Sequence, residues 1–154
     1  KKLLNAKTEE EVINIFVPEI KRMFLFDRFT FCLKEAEEGI VKYVYGQIDD
    51  IGSNYRFSLN DGLVGWVLRR NCPLRIEDIN KGDYNQPRYS VKEDKKHGLR
   101  SFLIIPLNID NEAWGCVTLE SRAVNQYSEN AKDVLMNLTL ILITTFKRIN
   151  KNLF

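Results

Sequence analysis

Two strongly apolar stretches separated by three polar residues constrain this chain more than any other feature. Leu99 to Ile109 and Ala113 to Ser121 carry near-continuous apolar runs (Phe102 to Leu107; Trp114 to Leu119), and only Asp110-Asn111-Glu112 joins them. Strands joined so tightly pair antiparallel, and runs this apolar belong in the middle of a sheet covered on both faces. A second hairpin lies upstream. Phe29, Phe31 and Leu33 alternate with Arg28, Thr30 and Cys32, a polar turn runs from Glu35 to Gly39, and Val41, Tyr43 and Tyr45 alternate with Ile40, Lys42 and Val44. Short strands are expected at Arg56-Phe57-Ser58-Leu59 and at Leu74-Arg75-Ile76.

Helical periodicity brackets these strands. Thr8-Glu9-Glu10-Glu11 reads as a capping box, and Val12, Ile15, Phe16, Ile20, Met23 and Phe24 then recur on one face over 9–26. Pro18 is expected to kink or restart that helix. A short middle helix is predicted from Gly62 to Asn71, capped by Asn60 or Asp61 and stopped by Pro73. Ser128 caps a last helix of about twenty-five residues, whose apolar stripe is Val134, Leu135, Leu138, Ile141, Leu142, Phe146 and Ile149. Between strand and hairpin, Glu77 to Gly98 is a long polar segment anchored by Ile79, Tyr84 and Tyr89, the profile of a lid or binding loop. A short helix over Val91 to Lys96, capped by Ser90, is expected within it. The fold class is α+β: a central antiparallel sheet, terminal helices on one face, and the middle helix plus the lid roofing a crevice on the other.

Composition narrows the function. The 154 residues make one domain, 1–154 with a core over about 6–148. Since the chain begins at Lys1, it is expected to be a piece excised from a larger protein. Lys and Arg number 23 against 21 Asp and Glu, a net charge of +2 too balanced for a nucleic-acid binder. Basic residues of the lid are interleaved with acids, and no apolar run is long enough to enter a membrane. Cys32, Cys72 and Cys116 lie far apart with no paired spacing, and His97 is the sole histidine, which excludes a zinc set and fits a reducing cytoplasm. No hydrolase, phosphate-loop or metalloprotease motif is present, so no catalytic residue, metal or cofactor is expected.

Three segments together resemble the GAF domain family: Ser58-Leu59-Asn60-Asp61-Gly62-Leu63-Val64-Gly65-Trp66-Val67, Leu99-Arg100-Ser101-Phe102-Leu103-Ile104-Ile105-Pro106-Leu107, and Trp114-Gly115-Cys116-Val117-Thr118-Leu119-Glu120-Ser121. The resemblance implies a six-stranded antiparallel sheet with a pocket, and a sensory or dimerising role in signalling proteins such as histidine kinases and diguanylate cyclases. Branches of the family are separable by residue. The cyclic-nucleotide signature is not met at Ser121-Arg122, Tyr127 and Ala131-Lys132. The lid segment Lys95-Lys96-His97-Gly98 has no cysteine for a bilin, and His97 alone is a weak candidate for haem. The free methionine sulfoxide reductase branch places cysteines where this chain has Gly62-Leu63-Val64-Gly65 and Lys96-His97-Gly98.

The expected function is therefore a cytoplasmic regulatory domain that binds a small molecule, dimerises, or both, to control an attached output domain such as a histidine kinase or diguanylate cyclase. Trp66, Tyr84 and Tyr89 would supply flat apolar walls for a ligand. Arg100, Ser101, Thr118 and Glu120 would supply polar contacts, the fork of Arg100 suiting a carboxylate or phosphate. The long amphipathic helix predicts a parallel homodimer, with Ile15, Leu138, Leu142, Phe146 and Ile149 at its interface. The alternatives are a structural dimerisation module without ligand and, third, an enzyme of the sulfoxide reductase type.

Overall fold

A period-2 pattern held through adjacent strands gives a sheet two chemically distinct faces, and this sheet uses both. The computed structural model describes residues 6–46, 48–49, 51–81, 86–93 and 95–149, the side chain of Lys95 apart. Helix α1 (Glu9–Met23) leads into β1 (Arg28–Glu35) and β2 (Glu38–Tyr45), then β3 (Arg56–Ser58), α2 (Leu63–Arg70) and β4 (Leu74–Ile76). A 3₁₀ turn at Lys95–His97 precedes β5 (Ser101–Ile109), β6 (Glu112–Ser121) and α3 (Glu129–Ile149). The strands form one six-stranded sheet in the order β3-β2-β1-β6-β5-β4, and every pairing is antiparallel. The fold is the α+β arrangement expected from the sequence.

On the back face, Phe29 and Phe31 of β1, Val117 and Leu119 of β6 and Leu103, Ile105 and Leu107 of β5 meet α1 and α3 in one buried cluster. Phe146 of α3 stacks on Phe31 with centroids 5.3 Å apart and meets Trp114 edge-on at 5.3 Å. On the front face, Cys32, Cys116, Phe102 and Ile104 pack under α2 and Tyr89.

Several local expectations are corrected. Pro18 does not break α1, which runs through it as one helix. Both Pro18 and Asn14, whose carbonyl loses its partner, are exposed, so water can satisfy that carbonyl. The short helix expected at 91–96 is replaced by the 3₁₀ turn. The β5–β6 turn narrows to Asp110 and Asn111, both left-handed (φ 53° and 67°), the conformation of a two-residue hairpin turn. Pro106 lies within β5, but β4 reaches only to Ile104, so among the described residues no strand flanks that side of β5 at the proline.

The apolar stripe of α3, Ile141 excepted, is the face laid on the sheet. Leu142 and Phe146 are wholly buried there and offer no surface to a second copy, which corrects their assignment to a dimer interface. Ile15, Leu138 and Ile149 are partly buried against the same core. The apolar side chains that α3 turns outward are Met136, Leu140 and Ile141. Phe146→Ala should therefore cost about 3–5 kcal/mol of stability, read as a lower urea midpoint. A variant that keeps the midpoint but changes the oligomeric state would contradict this packing.

Candidate functional site

The segment after β4 is tied down by backbone bonds before any side chain is considered. Gly62, the residue before α2, has no side chain to cap the helix; the expected Asn60 or Asp61 cap is absent. The free amides of Leu63 and Val64 donate instead to the carbonyls of Pro87 (3.0 Å) and Arg88 (2.9 Å). A Cβ at Gly62 would lie 2.6 Å from the Pro87 oxygen, so only glycine permits this approach. Gly65 serves a similar purpose against the backbone of Leu59.

Held there, Arg88 projects into a buried ionic network on the front of β1 and β6. Its Nε donates to Glu93 at 2.9 Å, its Nη1 to Glu120 and its Nη2 to Asp49. Arg28 lies beside it, bonding Glu120 through Nε and Nη2 (both 3.2 Å) and Asp49 through Nη1 (2.6 Å). The Tyr89 hydroxyl donates to Glu120 at 2.8 Å and meets the Thr30 hydroxyl at 2.9 Å, which in turn is 2.6 Å from that of Thr118. None of the five charged side chains is more than 2% exposed. The side chains of Arg88 and Tyr89 thus occupy the space between sheet and lid.

Burial works against every charge in this network, and the outcome differs by residue. Burial lowers the pKa of Arg28, but Glu120, Tyr89 and Asp49 outweigh it and leave the guanidinium more firmly charged than usual. Burial, with Glu120 nearby, raises Tyr89 and keeps it a neutral phenol. Glu93 is pushed up to about 7, chiefly by burial and further by Glu120 and Asp49, although the amides of Tyr89 and Ser90 donate to it. Two guanidinium groups face three carboxyl groups, so one proton on Glu93 would bring the network to neutrality.

Of the side chains proposed for ligand contact, Tyr89, Thr118 and Glu120 come together here. Trp66 is half-buried on α2 against the front core. Tyr84 lies outside the described residues. Arg100 faces elsewhere: of the two roles its fork allows, a ligand anion or a pair with Glu77 or Asp78, the structure shows the pair with Asp78, through bonds of 2.9 and 2.7 Å that hold that carboxyl down at about 2. Ser101 donates to the Ala123 carbonyl at 2.6 Å and so fixes the β6–α3 loop. The sequence reading missed Arg28, Thr30, Asp49, Arg88 and Glu93. Alternation with Phe29 and Phe31 marks Arg28 and Thr30 as front-facing; nothing local marks the others.

Cys32 and Cys116 face each other across β1 and β6, both buried. The neighbouring Cys32 and burial hold Cys116 above the usual thiol range. Cys72 is exposed beyond α2, its thiol directed at the Arg70 carbonyl. His97 accepts the Leu99 amide on Nδ1 at 2.9 Å. Among the described residues no group of acidic, cysteine or histidine side chains is arranged to hold a metal, and no helix is long and apolar enough to cross a membrane.

The raised Glu93 carboxyl gives a pH signature. Between its ordinary 4.5 and about 7 the folded chain holds a proton that the unfolded chain has lost. This contribution to stability is complete below that window and disappears as pH rises through it. The stability of the wild type relative to Glu93→Gln should thus fall by up to about 3 kcal/mol across the window, measured by urea unfolding at successive pH values. A flat difference would show that Glu93 is ionised throughout.

Comparison with known proteins places this geometry. The GAF domain family matches residues 8–142. No curated protein matches the chain. Among solved structures, the GAF domain of a two-component sensor histidine kinase from Bacillus halodurans is 19% identical, with a TM-score of 0.78 over 94% of this chain and 97% of its own. The GAF domain of an Acinetobacter phosphoenolpyruvate-protein phosphotransferase is 16% identical, with a TM-score of 0.78 over 97% and 89%. The free methionine-R-sulfoxide reductase of Neisseria meningitidis, in complex with its substrate, is 16% identical, with a TM-score of 0.78 over 97% and 84%. At these identities the structures share the fold, and with most of its length matched by the family, the chain belongs to the GAF domain family.

Proposed function

We propose that this GAF domain is a cytoplasmic regulatory module of a signal-transduction protein. It binds a small molecule beneath the lid, at Tyr89, Thr118 and Glu120 with Arg28 and Asp49. It reports occupancy through its terminal helices to an output domain such as a histidine kinase or diguanylate cyclase. The observation that carries this reading is the alternation on β1 and β6. Arg28, Thr30, Thr118 and Glu120 form the front network, while Phe29, Phe31, Val117 and Leu119, their neighbours in sequence, form the floor under α1 and α3. A displacement of the front side chains moves the backbone on which the helices rest, because packed layers transmit strain.

The same reading places a parallel homodimer on the terminal helices, along the outward stripe of α3. Leu140 and Ile141 there are 60% and 51% exposed, and Met136 lies one turn before Leu140. Ile15, Leu138 and Ile149 flank it from their partly buried positions.

A second reading, a structural dimerisation module without ligand, draws on the filled pocket: Arg88 and Tyr89 are buried where a ligand would sit, with their polar atoms bonded. Enzyme chemistry of the sulfoxide reductase type has less support, because it needs a thiolate and the thiol of Cys116 is held protonated.

Sedimentation of the wild type and of a Leu140→Asp, Ile141→Asp double variant tests the dimer. The wild type should sediment as a dimer at high micromolar concentration and the variant as a monomer that still melts cooperatively, with the melting temperature of the wild type at concentrations where both are monomers. A monomeric wild type removes the dimer from the proposal. A thermal-shift screen separates the two readings: a bound ligand at 100 times its Kd adds about 2.7 kcal/mol, whereas the structural module responds to nothing.

A further inference from the structure

We infer that the front pocket is built for a small guanidinium or amidinium compound, with Arg88 as its internal occupant in the lidded state. This rests on the ligand-binding reading above and names the ligand class. The three sides of the Arg88 guanidinium end on three different carboxyl groups, Glu93 at Nε, Glu120 at Nη1 and Asp49 at Nη2. Acceptors placed at Nε, Nη1 and Nη2 at once match a planar fork of donors and not a tetrahedral ammonium. The group held this way belongs to the segment that covers the pocket, not to the sheet that forms its floor. A crevice of about 150 Å³, with Pro87, Glu93 and Leu99 in its wall, opens beside it.

Electrostatics excludes the other ligand classes. Every nitrogen of Arg28 is already engaged, Nε and Nη2 by Glu120 and Nη1 by Asp49 and the Ile51 carbonyl. An incoming anion would therefore meet no unused guanidinium edge. If the Arg88 side chain leaves alone, three carboxyl groups remain against Arg28. If Arg88 and Glu93 leave together, Asp49 and Glu120 remain against it. Acid exceeds base in both cases, and departure of Arg88 frees Asp49 Oδ2 and one acceptor site on Glu120 Oε1, which keeps its bond from Arg28 Nη2, together with Glu93 Oε2 when Arg88 leaves alone. A neutral ligand would leave that buried charge uncompensated. A cationic planar group restores what Arg88 supplied, and Arg88 competes with it directly.

The test titrates the wild type and Arg88→Ala with methylguanidine, agmatine and L-arginine, with tetramethylammonium at matched ionic strength as control. Melting temperature and amide exchange over 86–93 are followed. Arg88→Ala should show a saturable rise in melting temperature with methylguanidine and none with tetramethylammonium. In the wild type, agmatine or L-arginine should bind saturably and speed exchange over 86–93, as Arg88 is displaced. The same compound should bind Arg88→Ala about 10-fold or more tightly, the internal competitor being gone.

Absence of saturable binding of every guanidinium compound to the wild type overturns the inference, whether or not Arg88→Ala folds. If an anionic or neutral metabolite stabilises the wild type while the guanidinium compounds do not, this ligand class falls and the sensory reading stands. If compounds of every charge fail, both fall and the structural module remains.

Discussion

The ion network around Arg88 is the interaction on which the front half of this domain depends. Removing an ion from water carries a penalty of several kcal/mol even after relaxation, and five charged side chains are buried together here. The penalty is offset only while the partners stay in register, since taking away one member leaves an unpaired charge in a dry site. The lid position therefore follows from the network. Arg88 and Glu93 anchor it by their side chains, and the Pro87 and Arg88 carbonyls continue that anchoring into the N-terminus of α2. The same stretch thus closes the pocket and completes a helix that has no cap of its own.

The sheet gives this arrangement its reach. On β1 and β6 each charged or hydroxyl side chain in front has an aromatic or aliphatic neighbour behind, one residue away. Arg28 adjoins Phe29, Thr30 adjoins Phe31, Thr118 adjoins Val117 and Leu119 adjoins Glu120. The two strands pair directly, with Thr30 opposite Thr118 and Phe31 opposite Val117, so network and helix floor share a single ladder. Arg28, Thr30, Thr118 and Glu120 thus adjoin the floor of α1 and α3 through strand backbone alone, whereas Asp49, Arg88 and Glu93 join the network from loops.

What the sequence showed of this depends on distance along the chain. Hairpins, the Thr8 cap and the faces of β1 and β6 are local, and local chemistry fixes them: Thr8 does accept the Glu11 amide, and Asp110 and Asn111 do turn the hairpin. Thr118 and Glu120 are legible because polar residues in apolar company stand out, and Tyr89 because an aromatic anchor stands out in a polar segment. Asp49, Arg88 and Glu93 were not, because what brings them to Glu120 is a fold closed over tens of residues, and no spacing encodes that meeting. The α3 stripe failed in another way. A period of 3.6 reveals which residues share a face but not what that face meets. Leu142 and Phe146 were consequently assigned to a second copy when they belong to the sheet, while the outward Leu140 lay outside the chosen set.

The economy of the network bears on why it exists. A pocket that merely had to be filled would be filled more stably by apolar side chains of similar volume, since replacing buried ion pairs by hydrophobic groups is often neutral or stabilising. Leu, Phe and Met in place of Arg88, Glu93 and Asp49 would continue the front core that already surrounds them. Charged groups are useful where a contact must be strong while intact and exchangeable against an equivalent one. The Arg88 clasp has both properties: its three bonds are charge-assisted, and its acceptors suit another planar cationic donor. Lifting the lid also gives the Leu63 and Val64 amides over to water, a net loss of about 1 kcal/mol for each bond. A ligand therefore has to match the clasp, not merely fit the space, to hold the segment open. That requirement favours an exchange of one cation for another over simple entry into a vacant cavity.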